Sequence, residues 1–483
     1  MLLLNHLWTF LSIVYYGAVL MAIEYILRTR RDPRGMMSWI LALVLLPGLG
    51  LVLFFLMGTL PIERRVRRWR KRRQRIEPAL DDHTRTLEKA HDARVMPRLD
   101  PGQRALMRLA ARMGDALVTT GNEVTVGHDA EQAFLALGLA IEAAESHIHL
   151  EYYIFADDDT GRGMRDLLIR KAEQGVEVRL LVDAIGSWKL SRRFIRSMTE
   201  RGVKVAKFLP WGLSGRRLHV NCRNHRKIAV IDGRTGFFGS KNIGDEYLGR
   251  KKKLGPWRDT DMRLRGPAVM QLQHVFVDDW HFATGEDLTG RRYFPVPAAA
   301  GEHVVQIVPS GPDRHPNMMH QLLNAAVSDA RRSVSIITPY FVPDPAMVLA
   351  LESAAYRGVK VRLLVPSRSD HRLVLWAGRS SYAELLEPGV EIYEYAAGML
   401  HSKVVAVDQR WVMIGSANMD VRSFRLNFEV TGVVYDAGVA QDVHNEFESL
   451  RGQAKRVQER DIQAWTYPQT LAAGLARLAA PLL

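Results

Sequence analysis

The chain has 483 residues, 47% hydrophobic and 24% charged, which excludes wholesale disorder and leaves room for two or three domains. Its one cysteine, Cys222, excludes an intrachain disulfide and argues against a cysteine-based metal site; a small packed residue is its simplest reading. The net charge of +14 is lopsided: residues 1–78 hold 13 Lys/Arg against 4 Asp/Glu, leaving +5 for the other 405 residues. A basic excess beside apolar segments points to anionic lipid head groups more than to nucleic acid.

In chain order, Leu7 to Ile23 is a run of 17 uncharged residues, and Met36 to Leu60 a second of 25. Both approach the ~17–25 residues a membrane helix needs, so a pair of transmembrane helices is expected. Pro47-Gly48-Leu49-Gly50 interrupts the second run, which leaves a re-entrant hairpin as the alternative. No basic segment precedes the first run and no small-residue cleavage site follows it, against a cleaved signal peptide. Residues 28–34 carry four arginines and residues 64–75 nine Lys/Arg. The larger claim places the main body in the cytosol, a multi-pass protein of the cell membrane. The expected domains are a membrane anchor (1–62), a basic helical linker (63–120) and two repeats (121–300 and 301–483).

The repeats are visible as matched strand-like runs. His147–Phe155, Gly175–Asp183 and Gly202–Phe208 correspond to Ser333–Val342, Gly358–Pro366 and Gly389–Tyr395, with helix-patterned stretches between them. Such alternation predicts an α/β fold, helices on a mixed sheet, in two tandem homologous domains facing each other.

Each repeat then carries the same signature. His225-Arg-Lys227-Ile-Ala-Val-Ile-Asp232 matches His401-Ser-Lys403-Val-Val-Ala-Val-Asp408, and seven residues after each Asp comes Gly-Ser-x-Asn, ending at Asn242 and Asn418. His and Lys at i and i+2 of a strand face the same way. A predicted hairpin turns at Gly233-Arg234 or Gln409-Arg410 and returns Ser240 and Asn242, or Ser416 and Asn418, beside them. The glycine there is expected to allow a ligand close to the backbone. Imidazole, ammonium, hydroxyl and amide together suit a phosphodiester. Lys, Ser and Asn donate to phosphoryl oxygens, neutral histidine attacks phosphorus and protonated histidine serves the leaving alkoxide. Nucleophile and leaving group lie on opposite sides of phosphorus, so two facing histidines are required. Asp232 and Asp408 are counted with the catalytic signature, although their place beside a turn favours a structural role. A carboxylate is expected on the other nitrogen of each histidine. The candidates are Asp259, downstream of the first motif, and Glu429, downstream of the second, with Asp261 in reserve. No metal motif is present and no cofactor is expected.

With these residues placed, the sequence resembles the phospholipase D superfamily and, more narrowly, the bacterial cardiolipin synthases. The two-run N-terminus, Tyr152-Tyr-Ile-Phe155, Trp257-Arg-Asp259, Ile337-Thr-Pro-Tyr-Phe-Val-Pro343, Gly415 to Glu429 and Ala480-Pro-Leu-Leu483 carry the likeness. Ser240 departs from it, standing where the family often has a second glycine. The resemblance implies transfer of a phosphatidyl group from one phosphatidylglycerol to another through a phosphohistidine, with His225 as nucleophile and His401 as general acid. Hydrolysis by water, phosphatidylethanolamine as donor, and a nuclease on the same fold are the alternatives; the placement of the basic charge speaks against nucleic acid. The first copy has 11 extra residues before its histidine (around Leu209–Leu218), Arg250-Lys-Lys-Lys253, and Lys241 where the second has Ala417. The His225 side is therefore expected to receive the lipid donor.

Overall fold

The computed structural model describes residues 2–28, 33–57, 71, 73–80, 83, 95–114, 116–210, 222–251, 255–315 and 317–480. The insert at 211–218, most of the basic run at 64–75, and Lys252 and Lys253 lie outside them. The chain forms two compact units, Met1–Arg68 with Trp211–Cys222, and Trp69–Pro210 with Arg223–Leu483.

In the first unit, Leu2–Arg28 is a single helix. Its 21-residue stretch Trp8–Arg28 is the one helix among the described residues long and apolar enough to cross a bilayer, at about 30 Å. The second apolar run differs from the expected span. It forms two short helices, Pro33–Leu45 and Leu49–Met57, the longer reaching only about 20 Å. Pro47 cannot continue a helix, and Gly48 takes φ +78°, a left-handed conformation open to glycine. Gly50 then packs so tightly on the first arm that a Cβ there would lie 2.2 Å from the carbonyl oxygen of Ala42. Phe54, Leu43 and Val19 form the small core of this three-helix unit.

The second unit is built on one 15-stranded mixed sheet. From its centre outward the first half runs Val118–Gly127, Asp261–Arg265, Thr235–Gly239, Lys227–Ile231, His147–Tyr152, Glu177–Asp183 and Lys204–Phe208. The second half runs His303–Ser310, Glu429–Val434, Trp411–Gly415, Val404–Val407, Ser333–Ile337, Lys360–Pro366 and Glu391–Tyr395, with Ala454–Arg456 added at the edge. The order matches strand for strand. In each half the outer three strands are parallel and the inner four antiparallel. The halves meet where Val118–Gly127 pairs with His303–Ser310, and one apolar core, including Ile228, Phe238, Met262, Val404, Ile414 and Val430, spans both. Helices Ala130–Glu142, Asp159–Glu173, Pro345–Tyr356 and Ala437–Arg451 each start on an aspartate whose carboxylate accepts an orphan N–H.

The hairpins form as expected, Lys227–Ile231 against Thr235–Gly239 and Val404–Val407 against Trp411–Gly415. Their aspartates do not face the histidines. Asp232 lies five residues beyond Lys227, about 16 Å along a strand. Its carboxylate accepts the main-chain N–H groups of Glu145, Ser146 and His147 at 2.8–2.9 Å. Asp408 does the same for Arg331, Arg332 and Ser333 at 2.7–3.1 Å. Both adopt φ +54° at the turn. Each aspartate therefore ties its hairpin to the start of the antiparallel strand beside it, His147–Tyr152 or Ser333–Ile337. Replacing Asp232 or Asp408 with Ala strands three donors, and each change should cost about 2–4 kcal/mol. A urea midpoint of the full chain in detergent that did not fall would refute this structural role.

Candidate active site

The site is assembled by a crossing of the two repeats. His225 Nδ1 lies 3.0 Å from Glu429 Oε2, and His401 Nδ1 lies 2.7 Å from Asp259 Oδ1. The sequence places Asp259 after the first motif and Glu429 after the second, which suggests pairing within each repeat; the fold exchanges them. Main-chain bonds enforce the exchange. Phe428 N–H donates to Arg223 and His225 N–H to Phe428, both at 2.9 Å. In the other half, Met399 N–H donates to Pro256 at 2.9 Å and His401 N–H to Arg258 at 2.7 Å. Each segment leading into a histidine is thus paired with the segment leading into the other repeat's carboxylate.

The glycines of Gly-Ser-x-Asn serve this arrangement rather than a ligand. A Cβ on Gly239 would sit 2.4 Å from Asp261 Oδ1, and one on Gly415 2.3 Å from the Val430 carbonyl. At those points the strand that follows Asp259 and the strand that begins at Glu429 run alongside. The serines likewise turn away from the role of phosphoryl donor. Ser240 Oγ donates to Asp259 Oδ1 at 2.7 Å, and Ser416 Oγ to Glu429 Oε2 at 2.5 Å, both serines fully buried. Ser423 Oγ adds a bond to Glu429 Oε1 at 3.0 Å. Asn242 is engaged at both ends, accepting from Ile154 N–H and donating to the Tyr247 hydroxyl. Asn418 is buried with its Oδ1 unpaired. Asp261, the reserve carboxylate, is paired with Lys241 Nζ at 2.8 Å and orients neither histidine. That pair also neutralises one of the cations expected to mark the first half as the donor side.

Each lysine follows its histidine by two residues, at the entry to strand Lys227–Ile231 or just ahead of strand Val404–Val407. Lys227 Nζ donates to the His225 carbonyl at 2.5 Å and Lys403 Nζ to the His401 carbonyl at 2.6 Å. Burial pushes Lys227 well below the ordinary lysine range, with Lys403 adding to the effect, and pushes Lys403 down to about 8. Burial pushes His225 down to about 4, against the pull of Glu429, and also lowers His401, where Lys403 adds to it. Burial alone would raise both carboxylates, but His401 holds Asp259 and His225 holds Glu429 below the usual range. Because each Nδ1–H is engaged by a carboxylate, Nε2 is left as the reactive nitrogen on each ring. The rings are braced edge-on, Tyr153 against His225 at 5.0 Å and Trp257 against His401 at 5.1 Å.

Arg226, the middle residue of the first motif, is a functional residue that sequence reasoning missed. It is buried and ion-paired with Asp279, and it donates to the Glu429 carbonyl at 3.0 Å and the Ser310 carbonyl at 3.1 Å. The guanidinium thereby fixes the main chain of the carboxylate that serves the adjacent histidine. A second cation between His225 and Lys227, just ahead of the apolar run Ile228–Ile231, was the available signal. A small cavity of about 40 Å³ lies against Lys227, Lys241 and Phe134, and one of about 20 Å³ against Lys403, Ala417 and Leu323. The cavities repeat the internal symmetry.

Residues 139–272 and 323–451 match the family described as cardiolipin synthase, phospholipase D-like domain, and residues 17–58 the phospholipase D-nuclease N-terminal family. The cardiolipin synthase of Geobacillus kaustophilus is 40% identical over 457 residues, covering 94% of this chain and 90% of that protein. The major cardiolipin synthase of Bacillus subtilis is 36% identical over 477 residues, covering 98% of each. Among solved structures, the phosphatidylserine synthase of Haemophilus influenzae superposes with a TM-score of 0.60 at 14% identity, over 80% of this chain and all of that one, a likeness of fold. Two family-matching repeats, an N-terminal apolar unit and near-full-length identity of this order have one explanation: the chain belongs to the cardiolipin synthase family of phospholipase D-like proteins.

Proposed function

We propose that this chain is a cardiolipin synthase that moves a phosphatidyl group from one phosphatidylglycerol to the terminal hydroxyl of a second, giving cardiolipin and glycerol. The observation that carries the reading is the pair of buried histidines, each with Nδ1 on a carboxylate of the opposite repeat. In the first step His225 Nε2 attacks phosphorus, the P–O bond to glycerol breaks, and His401 gives its proton to the departing oxygen. In the second, the hydroxyl of the acceptor lipid attacks the phosphohistidine while His401 takes its proton back. The P–N bond breaks and His225 is restored. Lys227 and Lys403 stabilise charge on the non-bridging oxygens. The bound anionic phosphodiester favours the protonated form of His401, which Asp259 also supports.

His225, lowered to about 4, is neutral at physiological pH as a nucleophile must be; His401 is lowered too and takes up its proton against the bound anionic phosphodiester. The N-terminal helix and the hairpin of residues 33–57 act as the anchor, the hairpin entering the bilayer without a full crossing or completing a second one. The nine Lys/Arg of residues 64–75, against four in 28–34, favour a cytosolic site.

The deciding assay supplies membranes carrying the protein with labelled phosphatidylglycerol. Cardiolipin plus free glycerol is expected, with label trapped on His225 after a rapid quench. Phosphatidic acid alone would make the protein a hydrolase, and ethanolamine released from added phosphatidylethanolamine would change the donor.

Glu429→Gln and Asp259→Asn should each lower turnover by about 10²-fold or more. In double-mutant cycles Glu429→Gln should be strongly non-additive with His225→Ala and close to additive on the chemical step assigned to His401. Coupling within each repeat instead would refute the exchange.

The free-enzyme profile, kcat/KM against pH, should be bell-shaped. The acid limb falls as pH drops through about 4 and His225 gains the proton that blocks attack. The basic limb falls as pH rises through the lowered His401 value, below the ordinary imidazole range, because the general acid loses its proton there, before Lys403 loses its charge at about 8. Asp259→Asn removes a carboxylate that raises His401 and should move the basic limb downward; an unmoved limb would assign it to another group.

A further inference from the structure

The C-terminal helix Tyr467–Ala479 carries an apolar stripe left uncovered by the rest of its unit. Tyr467, Leu471, Leu475 and Leu478 are 80, 49, 58 and 78% exposed, and their spacing of four, four and three puts them on one side of the helix. The other side packs inward: Ala473 and Ala476 are buried, and Ala476 joins Val342 and Ala377 in a small apolar cluster. Ala377 belongs to helix Arg372–Arg379, which exposes its own Leu373.

This pair of helices is continuous with the site. The Tyr340 hydroxyl donates to Asp370 at 2.8 Å, and its ring meets that of His371, just ahead of helix Arg372–Arg379. Phe341–Val342 pairs with Met419–Asp420, which directly follow Asn418. In the first half, the loop after strand Glu177–Asp183 is the topological counterpart of the loop that carries Asp370. It presents Trp188, 68% exposed, with Lys189 Nζ 5.6 Å from the ring centre.

The chain itself selects the occupant. Arg477 is paired with Glu384 and Arg379 with Glu394, so the face is apolar with little net charge. Helix Trp8–Arg28 is long and apolar enough to cross a bilayer, and the proposed transferase site takes a lipid from one, so a bilayer is the apolar phase this stripe has at hand. At 13 residues helix Tyr467–Ala479 is about 20 Å long, too short to cross a membrane and suited to lie in its surface.

We propose that Tyr467, Leu471, Leu475 and Leu478, with Leu373 and Trp188 at the rim, form an interfacial contact that seats the mouth of the site on the bilayer. The assignment rests on the phosphatidyltransferase reading for its purpose and on the exposed stripe for its location. The test uses the full chain with Cys222→Ser, reconstituted in vesicles of phosphatidylcholine and phosphatidylglycerol. Spin labels go on Leu471→Cys, Leu475→Cys or Leu478→Cys, and on the flanking Thr470→Cys. Labels at 471, 475 and 478 should collide with dissolved oxygen in preference to a water-soluble nickel chelate, and the label at 470 should do the reverse. Preference for nickel at all four, or lipid-independent broadening between labels on two copies, would overturn the proposal. In the cysteine-containing parent, the triple change Leu471→Ser/Leu475→Ser/Leu478→Ser should lower turnover of vesicle lipid by about tenfold or more. It should leave turnover of a short-chain, freely dissolved phosphatidylglycerol unchanged, and equal loss on both substrates would also count against the contact. Immersed labels without cardiolipin from either substrate would retire the transferase reading and leave the contact standing.

Discussion

The crossed histidine–carboxylate pairs are the constraint on which the second unit depends. A buried imidazole and a buried carboxylate are each costly alone, and together they hold one another in defined protonation states. Because Glu429 belongs to one repeat and His225 to the other, and Asp259 and His401 complete the reverse pair, neither repeat has a finished site by itself. The proposed use of two histidines on one phosphorus rests on the same geometry that joins the halves.

Much of the surrounding structure serves that junction. Ser240 and Ser416 hold carboxylates, Gly239 and Gly415 let the carboxylate strands pass, and Arg226 grips the main chain at Glu429. Asp232 and Asp408 work at the far end of the motif strands, where they pin the hairpins. The conspicuous polar residues of the signature therefore divide into few that face the reaction and many that fix those few. Burial lowers both lysines and both histidines, so an anion placed among them raises all four and is bound in return by their charged forms.

The two halves are alike in topology and unlike in detail. Arg226 in the first motif corresponds to Ser402 in the second, which crosses to the other repeat with a hydroxyl in place of a guanidinium, donating to the Arg258 carbonyl and accepting from Thr260. Lys241 and its partner Asp261 have no counterpart at Ala417. Duplication supplied the opposed geometry, and later divergence left each side its own electrostatics.

The sequence by itself determined the α/β class, the repeat, the strands that follow each His-x-Lys, the hairpins and the identities of the two orienting carboxylates; the histidines themselves lie just ahead of those strands. Period-two patterning, turn residues and motif spacing are local, and local patterns are legible in a chain. It also flagged the break at Pro47-Gly48, though the splitting of the second apolar run into two short helices required the packing of Gly50 on Ala42. The central strands Val118–Gly127, Asp261–Arg265, His303–Ser310 and Glu429–Val434 were not read as such, since strands buried at a seam depend on partners remote in sequence. Only the tertiary structure decided which carboxylate serves which histidine. Proximity along the chain favours pairing within a repeat, whereas the main-chain bonds at Phe428 and Arg258 bring the opposite partners together, and a hydrogen bond follows distance in space.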